Sequence, residues 1–237
     1  MKKYLILILG LTVVILFSGC IGLGGAGSGN VVNETREVSD FQEVSLSGIG
    51  NLIISQGEQE TLSIETDDNV LPYINSEVKN NRLEITYDPR MPAPTEGVNI
   101  YLNVVDINVV ELSGAAKIEA NQLNTDNLTL NMDGAGQANI DNITTEELFI
   151  TNSGAGRITI SGTTDQQTIT INGAGEYRAA DLVSRSATIT INGSGNVILN
   201  VSEILNAIIN GSGNVEYRGN PEVVEQISGI GSVRPIS

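Results

Sequence analysis

The chain lacks histidine and tryptophan and contains one cysteine and three phenylalanines in 237 residues. Without histidine, Ser-His-Asp and Cys-His nucleophilic schemes and histidine-bound metal sites are excluded. Because Cys20 is the only cysteine, no disulfide can form within the chain. The few aromatic side chains are compatible with a narrow core filled by Ile, Val and Leu.

Basic residues are also scarce. Twelve Lys and Arg stand against 28 Asp and Glu, so the formal net charge is −16, and it becomes −18 if Lys2 and Lys3 leave with a signal peptide. So acidic a chain is poorly suited to nucleic acid or to anionic membrane surfaces. We therefore expect an acidic exterior and no nucleic-acid partner.

The N-terminus carries an export signal. Lys2 and Lys3 precede an apolar run over 4–17, and small residues lead to Cys20. This order predicts a secretory signal peptide at 1–19, and the run is short for a membrane span. The cysteine after Ser-Gly resembles the lipobox of bacterial and archaeal lipoproteins, which implies lipidation of Cys20. The alternative is an ordinary signal with an incidental cysteine. We expect an exported protein, lipid-anchored at the extracellular face of the membrane or envelope.

Residues 20–37 are rich in glycine and polar side chains, which predicts a flexible tether. Within them, residues 22–27 match the dinucleotide pattern G-x-G-x-x-G. That mechanism needs a strand before the motif and a helix after it, and the polar sequence that follows has no helical pattern. We therefore predict no nucleotide cofactor, and no other cofactor.

A short glycine signature repeats along the chain. From Gly114 onward it recurs at spacings of 20, 20, 19, 20, 18 and 18 residues. The flanking residues alternate between apolar and polar, the pattern of half-buried strands. The signature begins at Gly48, Gly114, Gly134, Gly154, Gly173, Gly193, Gly211 and Gly229.

A repeat of this length is too short for a β-α-β unit but closes one coil of a parallel β-helix. The predicted fold is all-β, a right-handed single-stranded parallel β-helix (solenoid) with about 18–20 residues per coil. Regular repeats are expected over 111–237, and less regular β coils or a cap over 38–110, where prolines mark a loop and the glycine period is lost.

In such a stack, equivalent residues form columns along the axis. The glycine pair is expected on the inward side of a corner, where a Cβ would crowd the core and a positive φ is favoured. Asn172, Asn192 and Asn210 precede three corners and are predicted to form an amide ladder. Outward threonines form two columns, Thr151/Thr170/Thr190 and Thr168/Thr188. We interpret the repeated corner as architecture rather than a ligand code.

The strand Phe41–Gly48, the following Gly-Ile-Gly-Asn and the later S/D/N-G-A-G corners resemble the head GIN domain family of autotransporter adhesins. The resemblance extends over about 40–233. It implies a parallel β-helical solenoid on an exported, often lipid-anchored protein, and it implies no catalytic residues.

Carboxylates are the groups left for acid–base chemistry, and they would have to converge from adjacent coils. In the outward columns beside the glycine corners no acids are predicted to stack, and Arg157 is expected to face Glu176 as a solvated ion pair. Asp133 is the one acid in the column before the corner. The corners also lack the Asp-containing loops of calcium-binding β-rolls. We predict no catalytic residue and no metal site.

Asparagine sequons occur six times. Asn192 and Asn210 are explained as corner residues, whereas Asn33, Asn127 and Asn142 are the candidate glycosylation sites, provided that they are exposed.

Three functions remain open. The first is a non-enzymatic, lipid-anchored surface solenoid with an adhesin-like or envelope-interaction role, whose partner is an extracellular protein or glycan. The second is a β-helix that binds or processes polysaccharides, sensitive to Asp133 or Glu176. The third is a structural segment whose end coil stacks on another molecule, giving a homo-oligomer.

Overall fold

The computed structural model describes residues 25–236, so the predicted signal peptide and Cys20 lie outside the described residues. Within residues 25–236, seventeen strands form one continuous sheet, with a 3₁₀ turn at Leu71–Tyr73. The strands are β1 Val31–Arg36, β2 Glu43–Gly48, β3 Asn51–Gln56, β4 Thr61–Asp67, β5 Ile74–Lys79, β6 Arg82–Tyr87, β7 Asn99–Val104, β8 Val109–Gly114, β9 Lys117–Asn124, β10 Asn127–Gly134, β11 Gln137–Asn152, β12 Arg157–Ile171, β13 Glu176–Ile191, β14 Asn196–Ile209, β15 Asn214–Arg218, β16 Glu222–Ile227 and β17 Ser232–Pro235.

The strands from β8 onward stack in parallel as a solenoid of about six turns. Equivalent residues of successive coils are in register: Leu130 pairs with Ile150, Ile150 with Ile169, and Ile169 with Ile189. The predicted β-helix and its columns are therefore confirmed. We call the strands before each glycine corner the front wall (β2, β8, β10, the C-terminal halves of β11 to β14, and β16). The strands after it form the back wall.

The core is the predicted narrow tube of aliphatic side chains. Ile150, Ile169 and Ile189 are at most 1% exposed. A chain of buried polar groups interrupts the tube: the Tyr177 hydroxyl donates to Gln167 Oε1 at 2.8 Å, and Gln167 Nε2 donates to Ser184 Oγ at 2.7 Å. Ser184 Oγ in turn donates to the Asn200 carbonyl at 2.8 Å. Every member of this buried chain has a partner, which removes the penalty of burying it.

Glycine is required at the corners mainly because successive coils approach closely there, and less because of a positive φ. A Cβ on Gly154 or Gly193 would overlap the carbonyl oxygen of the corner glycine one coil earlier. Positive φ occurs at Gly48 and Gly134 but not at these later corners. The expected positive φ thus holds for the early corners only, while the crowding argument holds along the column.

The N-terminal half contains a long insertion in the stack. Gly48 pairs with Gly114, so the β2–β3 coil lies directly against the β8–β9 coil. Residues 57–108 leave the stack between them. Within that excursion β6 and β7 add one outer coil to β2 and β3, and the proline loop at 88–98 replaces the glycine corner.

Antiparallel strands cover the outer coil. β5 pairs with β6, β4 pairs with β7, and β1 pairs with β4. This end therefore has a mixed, curled cap, whereas β2 and β3 belong to the regular stack rather than to an irregular half.

The prediction of a flexible tether over residues 20–37 is wrong for the described residues of that segment, which are ordered against the cap. Val31–Arg36 forms β1, because its partner β4 offers a free antiparallel edge. The segment before it is fixed by buried Asp67, whose carboxylate accepts hydrogen bonds from the Gly29 N–H at 2.6 Å and the Thr95 N–H at 2.7 Å. The Thr95 backbone hydrogen bond is the main cause that lowers the pKa of Asp67.

The last coil at the opposite end of the solenoid consists of β16 and β17. Each of these strands pairs with one neighbour in the described structure. Ile230 at its corner is 85% exposed. Glu225 occupies an inward column, in register with buried Ala207. Between residues 25 and 236, no helix has the length and apolar character needed to cross a bilayer.

Candidate functional site

The front wall carries an uncharged surface on three successive coils, those of β12, β13 and β14. Because side chains alternate along a strand, every second residue of β12, β13 and β14 points outward here, and none of these outward residues is charged. We call this surface the neutral face. It consists of Gln166, Thr168, Thr170, Asn172, Ser186, Thr188, Thr190, Asn192, Ile204, Asn206, Ile208 and Asn210.

The N-terminal end of the same wall is charged. Arg82 lies 2.7 Å from Glu43 and 2.7 Å from Glu111, in an ion-pair triad across β6, β2 and β8. The hydrogen bond that Arg82 donates to Glu43 is the main cause that raises the pKa of Arg82. The ion-pair triad and the neutral face thus lie on separate coils of one wall.

The predicted amide ladder borders the neutral face. Asn192 Nδ2 donates to Asn172 Oδ1 at 2.8 Å, and Asn210 Nδ2 donates to Asn192 Oδ1 at 2.9 Å. Each amide nitrogen carries two hydrogens, so the bond along the axis uses one and leaves the other for an external acceptor. The predicted threonine columns are also formed: Thr151 pairs with Thr170, Thr170 with Thr190, and Thr168 with Thr188.

The back wall holds a compact ion-pair cluster. As predicted, Arg157 faces Glu176, at 2.8 Å, and Arg178 approaches the same carboxylate at 2.7 Å. The Arg178 hydrogen bond is the largest cause that lowers the pKa of Glu176. This carboxylate is therefore held ionised between two guanidinium groups and is poorly suited to donate a proton as a general acid.

Asp133 and Glu176 do not meet. Asp133 precedes the corner of Gly134 on the front wall, whereas Glu176 follows the corner of Gly173 on the back wall. Two coils separate them, roughly 10 Å along the axis at the usual strand spacing. The structure gives these two acids no common site.

Three acids that were not predicted from the sequence stack at the corner opposite the glycines. Asp126, Glu146 and Asp165 follow Thr125, Thr145 and Thr164 at the same position of successive coils. They line an open groove of about 430 Å³. The repeated Thr-Asp, Thr-Glu and Thr-Asp pairs are the sequence signal for this column, which lies away from the glycine corners.

The threonines of this corner serve the backbone. Thr145 Oγ1 lies 3.0 Å from the Asp126 carbonyl and 3.1 Å from the Glu147 carbonyl, and Thr164 Oγ1 makes the equivalent contacts one coil later. Arg185 takes the next position in the column, where its guanidinium lies 3.5 Å from the Asp165 carboxylate, so the run of acids ends there. Across residues 25–236, no group of three acidic or sulfur side chains is arranged to hold a metal ion.

The three candidate glycosylation sites are all exposed. Asn33 lies in β1, Asn127 begins β10, and Asn142 lies in a bulge of β11 with a φ of 54°. Asn192 and Asn210 are engaged in the amide ladder, as the corner interpretation requires.

The fold and its walls define a β-solenoid with open surfaces. The family model described as "Putative auto-transporter adhesin, head GIN domain" matches residues 40–221. The chain belongs to this family, which confirms the resemblance seen in the sequence. A search of curated proteins found no match.

Solved structures share the fold. A "putative adhesin" from Bacteroides fragilis superposes with a TM-score of 0.86 at 24% identity, covering 90% of this chain and 100% of that one. A "putative adhesin" from Parabacteroides merdae gives a TM-score of 0.69 at 23% identity, with 90% and 98% covered. A "putative lipid binding protein" from Parabacteroides distasonis gives 0.72 at 22% identity, with 90% and 99% covered.

Proposed function

We propose that this chain is an exported, non-enzymatic surface protein, anchored by lipid on Cys20, that uses its solenoid wall in adhesion or envelope interaction. The observation that carries the proposal is the match of the adhesin-head family to 40–221 together with the neutral face on an acidic solenoid. The held, ionised state of Glu176 and its separation from Asp133 support a binding role over acid–base catalysis.

The docked N-terminal segment supports a close attachment to the membrane. Gly25 already accepts a hydrogen bond from the Ala93 N–H at 3.0 Å, and Gly27 donates to the Ala93 carbonyl at 2.8 Å. Four residues separate Gly25 from Cys20, and they can span no more than about 18 Å. A lipid on Cys20 would therefore hold the capped end beside the membrane and leave the β16–β17 end distal.

Two measurements test the anchor and the role. We expect acyl mass on the N-terminal peptide that begins with Cys20, and release of a Cys20→Ser variant from the membrane fraction. Deletion of the gene should reduce cell attachment, aggregation or envelope integrity, and the wild-type gene should restore it. Unmodified Cys20 in the membrane fraction would contradict the anchor, and an unchanged deletion phenotype would contradict the role.

A further inference from the structure

We propose that the neutral face binds an uncharged polysaccharide chain laid along the solenoid axis. This inference rests on the proposed surface-binding function and names the surface and the ligand class. It is built from the charge pattern of the front wall, the fixed polar groups of the face, its apolar contacts and its repeat.

Charge selects the ligand class first. The whole chain has a net charge of −16, so an acidic polymer is repelled over most of the surface. The outward residues of β12 to β14 on the front wall carry neither positive nor negative charge. A ligand without charge meets no desolvated ion there and loses no ionic hydration, whereas an acidic polymer would gain no cationic partner.

The polar groups of the face suit hydroxyl groups. Thr168 and Thr188 are exposed and adjacent, and each hydroxyl can both donate and accept. The amides of Asn172, Asn192 and Asn210 are held by their own ladder, so a hydrogen that the ladder leaves free can bond a ligand at little further entropic cost. Sugars present the matching mixture of donors and acceptors.

Apolar side chains flank these groups and suit the C–H faces of sugar rings. Phe149, one coil before Thr168 in the same column, is 39% exposed. Ile204, at the other edge of the face, is 44% exposed. The two side chains lie in different columns at opposite edges of the face, so each offers a separate apolar contact.

The repeat favours a polymer over a single sugar. The asparagine column offers an amide at each of the three coils, and two further columns offer a threonine hydroxyl at two of them, with about 4.8 Å between coils. The face is open rather than enclosed, so one sugar would make few contacts. A chain parallel to the axis gains a further weak contact at each coil, and linked weak contacts add up to measurable avidity.

The test uses the chain from residue 20 onward carrying Cys20→Ser, so that no acyl group contributes. Co-sedimentation with insoluble cellulose, chitin and β-1,3-glucan, and affinity electrophoresis in hydroxyethylcellulose, give the neutral arm. Polygalacturonate and alginate give the acidic arm. We expect retention by at least one neutral polymer and none by the acidic polymers.

Matched variants locate the surface. The double variant Thr168→Lys and Thr188→Lys should weaken neutral-polymer binding by roughly tenfold, because two hydroxyl contacts are lost. Thr163→Lys, at an exposed position of the same strand β12 but in the opposite corner groove, should bind like the parent. If circular dichroism shows that this double variant is unfolded, the double variant Thr170→Lys and Thr190→Lys is used in its place.

Three outcomes overturn the proposal: no retention by any neutral polymer, equal retention by acidic polymers, or equal loss in Thr163→Lys. Dimerisation in light scattering that the Thr168 and Thr188 changes abolish would assign the face to a second copy instead. The attachment phenotype of the gene deletion does not depend on polysaccharide binding. Failure of the polysaccharide proposal can therefore be told apart from failure of the proposed surface function.

Discussion

The side-chain amide of Asn192 donates a hydrogen bond to that of Asn172, 20 residues earlier in the chain, across 2.8 Å. Asn210 repeats the contact one coil later. Stacked amides of this kind stabilise cross-β structures because each side chain acts as donor and acceptor at once. In this chain the ladder fixes the register of neighbouring coils at their corners.

We expect Asn192→Ala to lower the free energy of unfolding by about 1–2 kcal/mol, because it removes two ladder hydrogen bonds. Thermal or urea unfolding measures the change. Asn206→Ala is the control, because Asn206 also points outward from the front wall but lies outside the ladder. Equal destabilisation by the two changes would show that the ladder adds nothing beyond a surface asparagine.

Gly154→Ala should destabilise the solenoid by at least about 1–3 kcal/mol. The new Cβ would overlap the Gly134 carbonyl, and no rotamer change can move a backbone atom away. The control is Ala155→Ser in the same corner, since Ser194 already occupies the equivalent position two coils later. If unfolding midpoints of the two variants coincide, close approach is not the reason for the glycine column.

Tyr177→Phe should cost about 1–3 kcal/mol, because it leaves buried Gln167 Oε1 without its donor. Adding Gln167→Leu removes the stranded oxygen, and Ser184 still donates to Asn200. The double variant is therefore expected to be less destabilised than the sum of the single ones. Strict additivity in a double-mutant cycle by urea unfolding would argue against a coupled buried chain.

Docking of the N-terminal segment should depend on pH through Asp67. Because hydrogen bonds lower the pKa of Asp67 below its ordinary value of 3.8, ionised Asp67 stabilises the folded state. This contribution is present in full above pH 3.8 and is lost as the pH falls through the lower folded pKa.

Hydrogen exchange of residues 25–36 measures this docking. We expect Asp67→Asn to raise exchange there near neutral pH and to converge with the parent in strong acid. Glu96→Gln, at an exposed position in the same loop region as Thr95, should leave exchange unchanged. A parent-to-Asp67→Asn difference that persists undiminished in strong acid would exclude the carboxylate as the cause.

Glu225→Val should promote end-to-end association. Glu225 lies over buried Ala207 in an inward column of the outermost coil, and an inward charge at a sheet edge opposes pairing with another edge. Light scattering at increasing concentration should show a larger mass for this variant than for Glu222→Gln, which loses the same charge from an outward position. Similar masses for both variants would mean that Glu225 does not protect the end.

The regular coils could be predicted because the glycine repeat has a regular period and the strand residues alternate between inward and outward positions. Once the glycine spacing is known, strand alternation assigns each residue to a wall or to the core, and Arg157 opposite Glu176 follows directly. The cap could not be predicted in this way. β1, β4 and β5 carry no repeat, and the partner of β1 is β4, some 30 residues away, so tertiary context decides the pairing.

The candidate surface was predicted in parts. The Thr and Asn columns followed from the repeat, whereas the neutral face as a whole depends on which coils lie beside each other on one wall. The Asp126, Glu146 and Asp165 column was missed because its corner has no glycine to mark it. Asp67 was missed because its donors, Gly29 and Thr95, come from distant loops.

Gly48 and Gly114 lie 66 residues apart in sequence but in adjacent coils. The entropy of closing a loop rises only with the logarithm of its length, so a long excursion at this point costs little more than a short one. Each coil contacts only its neighbours, which confines the disturbance to a single joint. The scaffold can therefore accept grafted modules at such a joint without rebuilding the rest of the stack.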